Sequence, residues 1–280
     1  MNMDLWLWLT VAAAGAAGQF LDTLAGMGFG ALSSTAMVAA GISPVVVVGT
    51  VNLAKVGSGL ASGLSHWRFG NVQWSWVVPL GVPAVAGGVL AALVLTYLPT
   101  QIIRGLVPIA LLVMGLLILR RFLSKSAALP LVAGGSQDAV YINPQAPWRV
   151  FTRSFWARPS VVWLGSIGFV GGVLNGFSGA FGPFTTSAVV LRQRRHPRFA
   201  IGTVNFVEFF VAGAISIVIL SRVAWGSFHW ELPVALIAGS VITAPLGAYL
   251  SRHLPVRPAG VAVGLALITL NSWSIMQSIL

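Results

Sequence analysis

Three ionisable residues interrupt the apolar stretches of this sequence: Asp22, Lys55 and Glu208. A charge in hydrocarbon is costly, so such residues pair, face a water-filled cavity, or mark an ion or proton route. Lys55 lies near the middle of an apolar run over 44–65, about 16 Å along a helix that would start at Pro44. Asn52, Lys55, Ser58, Gly59 and Ser62 recur at three- and four-residue spacing, so they share one helix face. Asn205, Glu208, Ala212 and Ser216 make a weaker copy of that stripe. Two readings follow. The stripes line an aqueous path, or Lys55 and Glu208 form an ion pair that locks two parts of the molecule together; a pair that both holds and gates satisfies either. Asp22, just before a glycine-rich break, has two candidate roles: binding a proton, or capping the helix that follows.

Hydroxyl groups cluster just past two such breaks. Gly26, Gly28 and Gly30 precede Ser33, Ser34 and Thr35, while Gly176, Gly179, Gly182 and Pro183 precede Thr185, Thr186 and Ser187. A helix N-terminus carries unsatisfied N–H groups and about half a positive charge, so it favours anions. Proline suits a first helical position, where no N–H is needed, and glycine lets a ligand or a second backbone approach closely. The candidate substrate-binding set is therefore Gly30, Ser33, Ser34, Asn52, Lys55, Gly182, Thr185, Thr186 and Asn205, with Asp22 and Glu208 as candidates for proton coupling or gating. The competing role for glycine is helix packing, for which Gly59/Gly63 and Gly168/Gly172/Gly176 have the small-xxx-small spacing.

The elements that must position these groups are membrane helices. Of 280 residues, 57% are hydrophobic and only 8% charged, far below the quarter or so of a soluble domain. A soluble enzyme and a nucleic-acid-binding domain are thereby excluded as classes, despite the formal charge of +11. The first 54 residues hold no Lys or Arg, so they lack the charged n-region of a signal peptide. Apolar runs fall at about 4–22, 28–41, 44–65, 75–98, 102–120, 160–176, 182–191, 199–221, 231–252 and 257–279. Eight reach the length of about 20 residues that a bilayer crossing needs. The runs 28–41 and 182–191 reach only about 15–21 Å and read as half-helices that begin inside the membrane.

The halves repeat. A shift of 153 places Gly49-Thr50-Val51-Asn52 on Gly202-Thr203-Val204-Asn205, Gly18 on Gly171, Asp22 on Asn175, Gly26 on Gly179 and Lys55 on Glu208. Farther on, a shift of 156 places Leu98-Pro99 on Leu254-Pro255 and Gly70 on Gly226. Five segments per half is an odd number, so the second half enters the membrane from the opposite side. The positive-inside rule agrees: with the 121–159 linker cytoplasmic, thirteen of the 16 basic residues fall inside, Arg104 and Arg222 outside, and Lys55 within a helix. The expected fold is all-α and polytopic, two inverted-topology repeats of about five segments with short discontinuous helices at the midplane. The first repeat covers 1–122, a cytoplasmic linker 123–159, and the second repeat 160–280. Both termini are then extracytoplasmic.

Other chemistries find no support. Without cysteine there is no disulfide, thiolate zinc site or cysteine nucleophile. His66, His196, His229 and His253 fall at segment ends without metal-ligand spacing, which places them at the membrane interface. Gly26-x-Gly28-x-Gly30 lacks the strand–turn–helix context of a nucleotide loop, and Asp138 and Glu231 read as loop residues. The tract from Trp148 to Trp156, with Arg149 and Arg153, reads as an interfacial anchor rather than a nucleic-acid patch. No catalytic role, cofactor, metal or nucleic-acid partner is expected; the partners are a small anion and the lipid bilayer.

Over nearly the whole chain except the linker, the sequence resembles the sulfite exporter TauE/SafE family, also called toluene sulfonate uptake permeases. The resemblance rests on Gly18, Asp22, Gly26, Gly28 and Gly30 in order, then His66-Trp67-Arg68-Phe69-Gly70-Asn71-Val72. In the second half it rests on Gly176-Phe177-Ser178-Gly179-Ala180-Phe181-Gly182-Pro183, His196-Pro197-Arg198 and Ile201-Gly202-Thr203-Val204-Asn205-Phe206-Val207-Glu208-Phe209-Phe210. The resemblance implies a multi-pass carrier in the bacterial inner membrane for sulfur-containing anions such as sulfite or organosulfonates, compatible with proton coupling. This chain departs from the family pattern at Asn175, where an acidic residue is expected, at Ala180-Phe181, and at Lys55. The expected function is a secondary, alternating-access transporter of small sulfur oxyanions and not an enzyme. The alternative is an anion channel, which shares the electrostatics but needs a continuous water path.

Overall fold

In the computed structural model the described residues are 5–123, 159–193, 197–222, 228–251 and 257–279, and they form ten α-helices. In chain order these are α1 (Leu5–Ala25), α2 (Phe29–Ala39), α3 (Pro44–Arg68), α4 (Trp74–Tyr97), α5 (Thr100–Leu123), α6 (Pro159–Ser178), α7 (Gly182–Gln193), α8 (Pro197–Leu220), α9 (Glu231–Leu250) and α10 (Arg257–Ile279). Each of the ten apolar runs becomes one helix, with ends displaced by at most a few residues. The two short runs become helices of 11 and 12 residues, α2 and α7, about 16–18 Å long. The linker expected over 123–159 lies almost wholly outside the described residues, as do the Trp148–Trp156 tract, Asp138, His196 and His253.

Six helices (α3, α4, α5, α6, α8 and α9) are long and apolar enough to cross a bilayer, counted over the described residues. The sequence leads one to expect eight. The other two, α1 and α10, have 21 and 23 residues, but in α10 the apolar stretch narrows to Gly260–Met276. Proline is tolerated inside α4 (Pro79, Pro83), α5 (Pro108) and α9 (Pro245), because neighbouring helices in a membrane bundle can satisfy the carbonyls that it frees.

Packing joins the two halves of the chain rather than separating them. The largest helix–helix interfaces are α4 with α6, α1 with α9, α3 with α8 and α5 with α10. Lipid is as apolar as leucine, so association in a membrane depends on close van der Waals fit, and small residues allow it. Gly168 and Gly172 of α6 press against the carbonyls of Leu80 and Ala84 in α4, where any Cβ would overlap backbone. Gly15 of α1 meets the carbonyl of Leu236, and Gly239 of α9 meets that of Ala12, in the same way. The small-xxx-small stretch of α6 therefore does pack helices. Trp76, Leu80, Leu95, Leu111, Met114, Leu164, Ile201 and Ile215 fill the interior between these pairs.

Candidate functional site

The two breaks have one design. Gly26 follows α1 with φ +71° and Gly179 follows α6 with φ +72°, a left-handed conformation that only glycine adopts without strain. The Gly26 N–H donates to the Asp22 carbonyl at 2.6 Å, and the Gly179 N–H donates to the Asn175 carbonyl at 2.7 Å. Each turn closes its long helix and redirects the chain into a short one.

The short helices begin side by side in the protein interior. Thr186 Oγ1 donates to the Gly26 carbonyl at 2.8 Å, and Gly182 lies against that same carbonyl. Gly30 lies against the Gly179 carbonyl and the Lys55 ammonium, while Gly179 lies against Ser34 Oγ. A side chain at Gly30 would occupy the space of Lys55. Phe29, Phe181 and Met27 are fully buried around these tips.

Lys55 of α3 and Glu208 of α8 form a buried salt bridge, Nζ to Oε1. Buried ion pairs persist only where removing one partner would strand the other charge. Asp22, also buried, faces the backbone amides of Gly28 and Phe29 and has Lys55 and Glu208 as charged neighbours. This places the Asp22 carboxyl at the start of α2. An asparagine set ties α1, α3, α6 and α8 together in the same interior. Asn52 Nδ2 donates to the Val48 carbonyl at 2.9 Å, and Asn175 Nδ2 donates to Asn52 Oδ1 at 3.0 Å. Asn205 Nδ2 donates to the Ile201 carbonyl at 3.0 Å and reaches the Asp22 carbonyl at 3.4 Å; Ser62 Oγ donates to Asn205 Oδ1 at 2.9 Å.

Several polar atoms near the breaks are buried without a hydrogen-bond partner: Ser34 Oγ, Ser58 Oγ, Thr185 Oγ1 and Asn175 Oδ1. An unsatisfied buried group costs about 1–3 kcal/mol, so these atoms mark where further hydrogen bonds can form. Gly30, Ser34, Lys55 and Glu208 converge, as do Gly182, Thr186 and the Gly26 carbonyl. Ser33 is buried on the first turns of α2, and no hydrogen bond ties it to the cluster. Asn52 and Asn205 stand one turn before Lys55 and Glu208 on α3 and α8.

The interfacial expectation for the histidines fails at His66. It ends α3 as anticipated but is fully buried. Its Nε2 donates to the Thr23 carbonyl at 3.1 Å, and its Nδ1 accepts from Asn71 Nδ2 at 3.1 Å; Asn71 Nδ2 also reaches the Ala248 carbonyl at 3.2 Å. Four-residue spacing from Ser58 through Ser62 puts His66 on the buried polar face of α3, and this periodicity was the signal for it. His229 stays exposed. Two further interior polar residues stood outside the candidate set read from the sequence. Asn271, a single buried amide in α10, donates to Thr35 Oγ1 at 2.8 Å and so ties α10 to α2. Asn175 enters the asparagine set, and its register match with Asp22 was the available clue.

A groove of about 300 Å³ lined by Gly59, Leu60, Gly63, Leu64, Trp67, Trp74, Phe206, Phe209 and Phe210 lies outside this cluster. Its lining residues are all apolar, and Leu60, Trp67 and Phe210 are among the exposed large hydrophobics. It has nothing with which to hold an ion. The interior cluster is the candidate site.

Apolar helices of spanning length, packed about a buried charge pair and two broken helices, define a multi-pass membrane protein of transporter type. The model of the sulfite exporter TauE/SafE family matches residues 11–272, and the chain belongs to that family. It is 30% identical over 270 residues to "Probable membrane transporter protein YtnM" of Bacillus subtilis (strain 168), covering 96% of this chain and 83% of that one. It is 38% identical over 98 residues to "Probable membrane transporter protein ORF9" of Sinorhizobium sp, covering 35% of this chain and 37% of that one. No solved structure matches the chain.

Proposed function

We propose that this protein is a secondary transporter of small sulfur oxyanions, sulfite or an organosulfonate, working by alternating access across two inverted halves in a bacterial inner membrane. The observation that carries this reading is the meeting of the two breaks in the interior, with a buried cation, Lys55, against Gly30 of α2 and unpartnered hydroxyls on both short helices, Ser34 and Thr185. Broken helices that meet at a repeat interface are where secondary transporters hold substrate, because their free amides and hydroxyls replace the hydration shell of the ion. The family's description supplies the sulfur oxyanion.

Support for the inverted halves comes from the pairing of contacts. Lys55 and Glu208, 153 residues apart, are mates under the shift that aligns the halves, and mates touch only near a twofold axis. Gly15 meets Leu236 as Gly168 meets Leu80, contacts exchanged by the two shifts that the sequence carries. Like charges at the axial position would repel, so one mate is lysine and the other glutamate.

Ionised Asp22 and Glu208 outweigh Lys55 by one charge, so an incoming anion adds to an already negative centre. A proton on one carboxylate relieves this. Glu208 can then release Lys55 to the anion, which couples proton and anion movement. The packed tips with buried Phe29 and Phe181 favour a carrier that must rearrange over a channel with a continuous water path.

The test is uptake into proteoliposomes of radiolabelled sulfite, an alkanesulfonate, sulfate and a neutral control, with and without an imposed pH gradient. Wild-type protein should accumulate a sulfur oxyanion down the proton gradient, and Lys55→Met should abolish flux. Flux of no anion above empty liposomes would refute the reading; wild-type flux in the variant would remove Lys55 from it.

A further inference from the structure

Asn175 occupies the position that Asp22 holds in the first half, and the two break turns differ in consequence. The Asp22 carboxyl faces the first amides of α2, so an acceptor from the protein itself already answers that helix tip. At α7 the corresponding residue is a neutral amide, and Thr185 Oγ1 in the first turn, against Gly171 one turn before Asn175, is buried without a partner. The tip of α7 is therefore the one left for a charge from outside.

The orientation of the Asn175 amide is fixed by its neighbours. The Val48 carbonyl can only accept, so Asn52 must present Nδ2 to it and turn Oδ1 toward Asn175. Asn175 must then donate through Nδ2, which leaves its Oδ1 as an acceptor that is fully buried and has no partner. A bare oxyanion carries only acceptors and cannot satisfy that oxygen.

We propose that Asn175 is a substrate-recognising residue, and that the α7 tip takes a monoanion bearing its own hydrogen-bond donor, which Asn175 Oδ1 accepts. This inference rests on the anion reading above and narrows it. The donor is the O–H of a protonated oxyacid anion, such as hydrogen sulfite, or the amine N–H of an anionic aminosulfonate. Dianions and donor-free sulfonates leave the acceptor unsatisfied, the situation in which sites built for a hydrogen bond discriminate most strongly.

The measurement is calorimetric binding to the purified full-length chain in detergent at pH 6, where hydrogen sulfite and methanesulfonate are monoanions of similar shape that differ in the donor. Working at one pH gives every ligand the same starting state of the protein. Wild-type protein should bind hydrogen sulfite roughly ten- to a hundred-fold more tightly than methanesulfonate, the loss expected from one stranded buried acceptor. In Asn175→Leu that ratio should fall to within about two-fold, a change that loss of packing alone would not produce. Asn175→Asp, which restores the carboxylate of the first half, should weaken the binding of both hydrogen sulfite and methanesulfonate. Aminomethanesulfonate binding like hydrogen sulfite assigns the donor to any suitably placed N–H or O–H; binding like methanesulfonate restricts it to the acid O–H, and both outcomes support the role of Asn175. Equal wild-type affinities for hydrogen sulfite and methanesulfonate, or an undiminished ratio in Asn175→Leu, would overturn it. Absence of binding by every anion would instead bring down the transport reading on which it stands.

Discussion

At the residue scale, the Lys55–Glu208 pair decides how substitutions behave. Lys55→Met strands a buried carboxylate, and breaking such a pair costs about 3–5 kcal/mol. The double variant Lys55→Met/Glu208→Leu removes both charges and should regain most of that stability, because apolar groups of similar volume replace a buried pair at little cost. Unfolding in detergent checks this, and transport should stay absent in both variants; equal stability of single and double variants would show that the charges do not depend on each other. His66 is held by two hydrogen bonds to neighbouring elements. His66→Ala should lower stability by about 1–3 kcal/mol, the cost of leaving buried partners unsatisfied.

At the scale of the element, positive φ and close approach separate glycines that look alike in sequence. Gly41 has φ +78° with open space where a Cβ would go. Gly41→Ala should cost only the strain of a left-handed residue, about 1–2 kcal/mol, and leave transport intact. Gly179 has the same strain, and its Cβ would also press on Ser34 Oγ and Val51. Gly179→Ala should cost measurably more and abolish uptake, since it forces the two short helices apart. Matching unfolding midpoints and uptake rates for the two variants would deny the breaks any special part.

At the scale of the whole molecule, inversion makes a sidedness prediction. In the proposed inverted arrangement the turn after α3 and the turn after α8 are equivalent and lie on opposite faces of the membrane. The chain has no cysteine, so single cysteines report without background. Gly70→Cys should react with an impermeant thiol reagent only from the cytoplasmic side. Ser221→Cys, at an exposed position, should react only from the opposite side. Labelling of both from one side would exclude the inverted arrangement.

Sequence alone determined the solvent, the ten helices and the two short ones among them, because apolar run length and glycine breaks are local properties that hydrocarbon enforces without regard to partners. It also offered the Lys55–Glu208 pair as one of two readings, through the shift of 153 that superimposes the two residues. Tertiary structure alone decided which of the anticipated polar residues converge, that His66 turns inward rather than to the interface, and that Asn175 joins Asn52. Those outcomes depend on which side chains and carbonyls of distant helices lie within hydrogen-bond reach, and spacing along one helix fixes only a face. The Asn175 acceptor is the clearest case: its orientation follows from the Val48 carbonyl, a backbone group 127 residues away whose position no local pattern encodes.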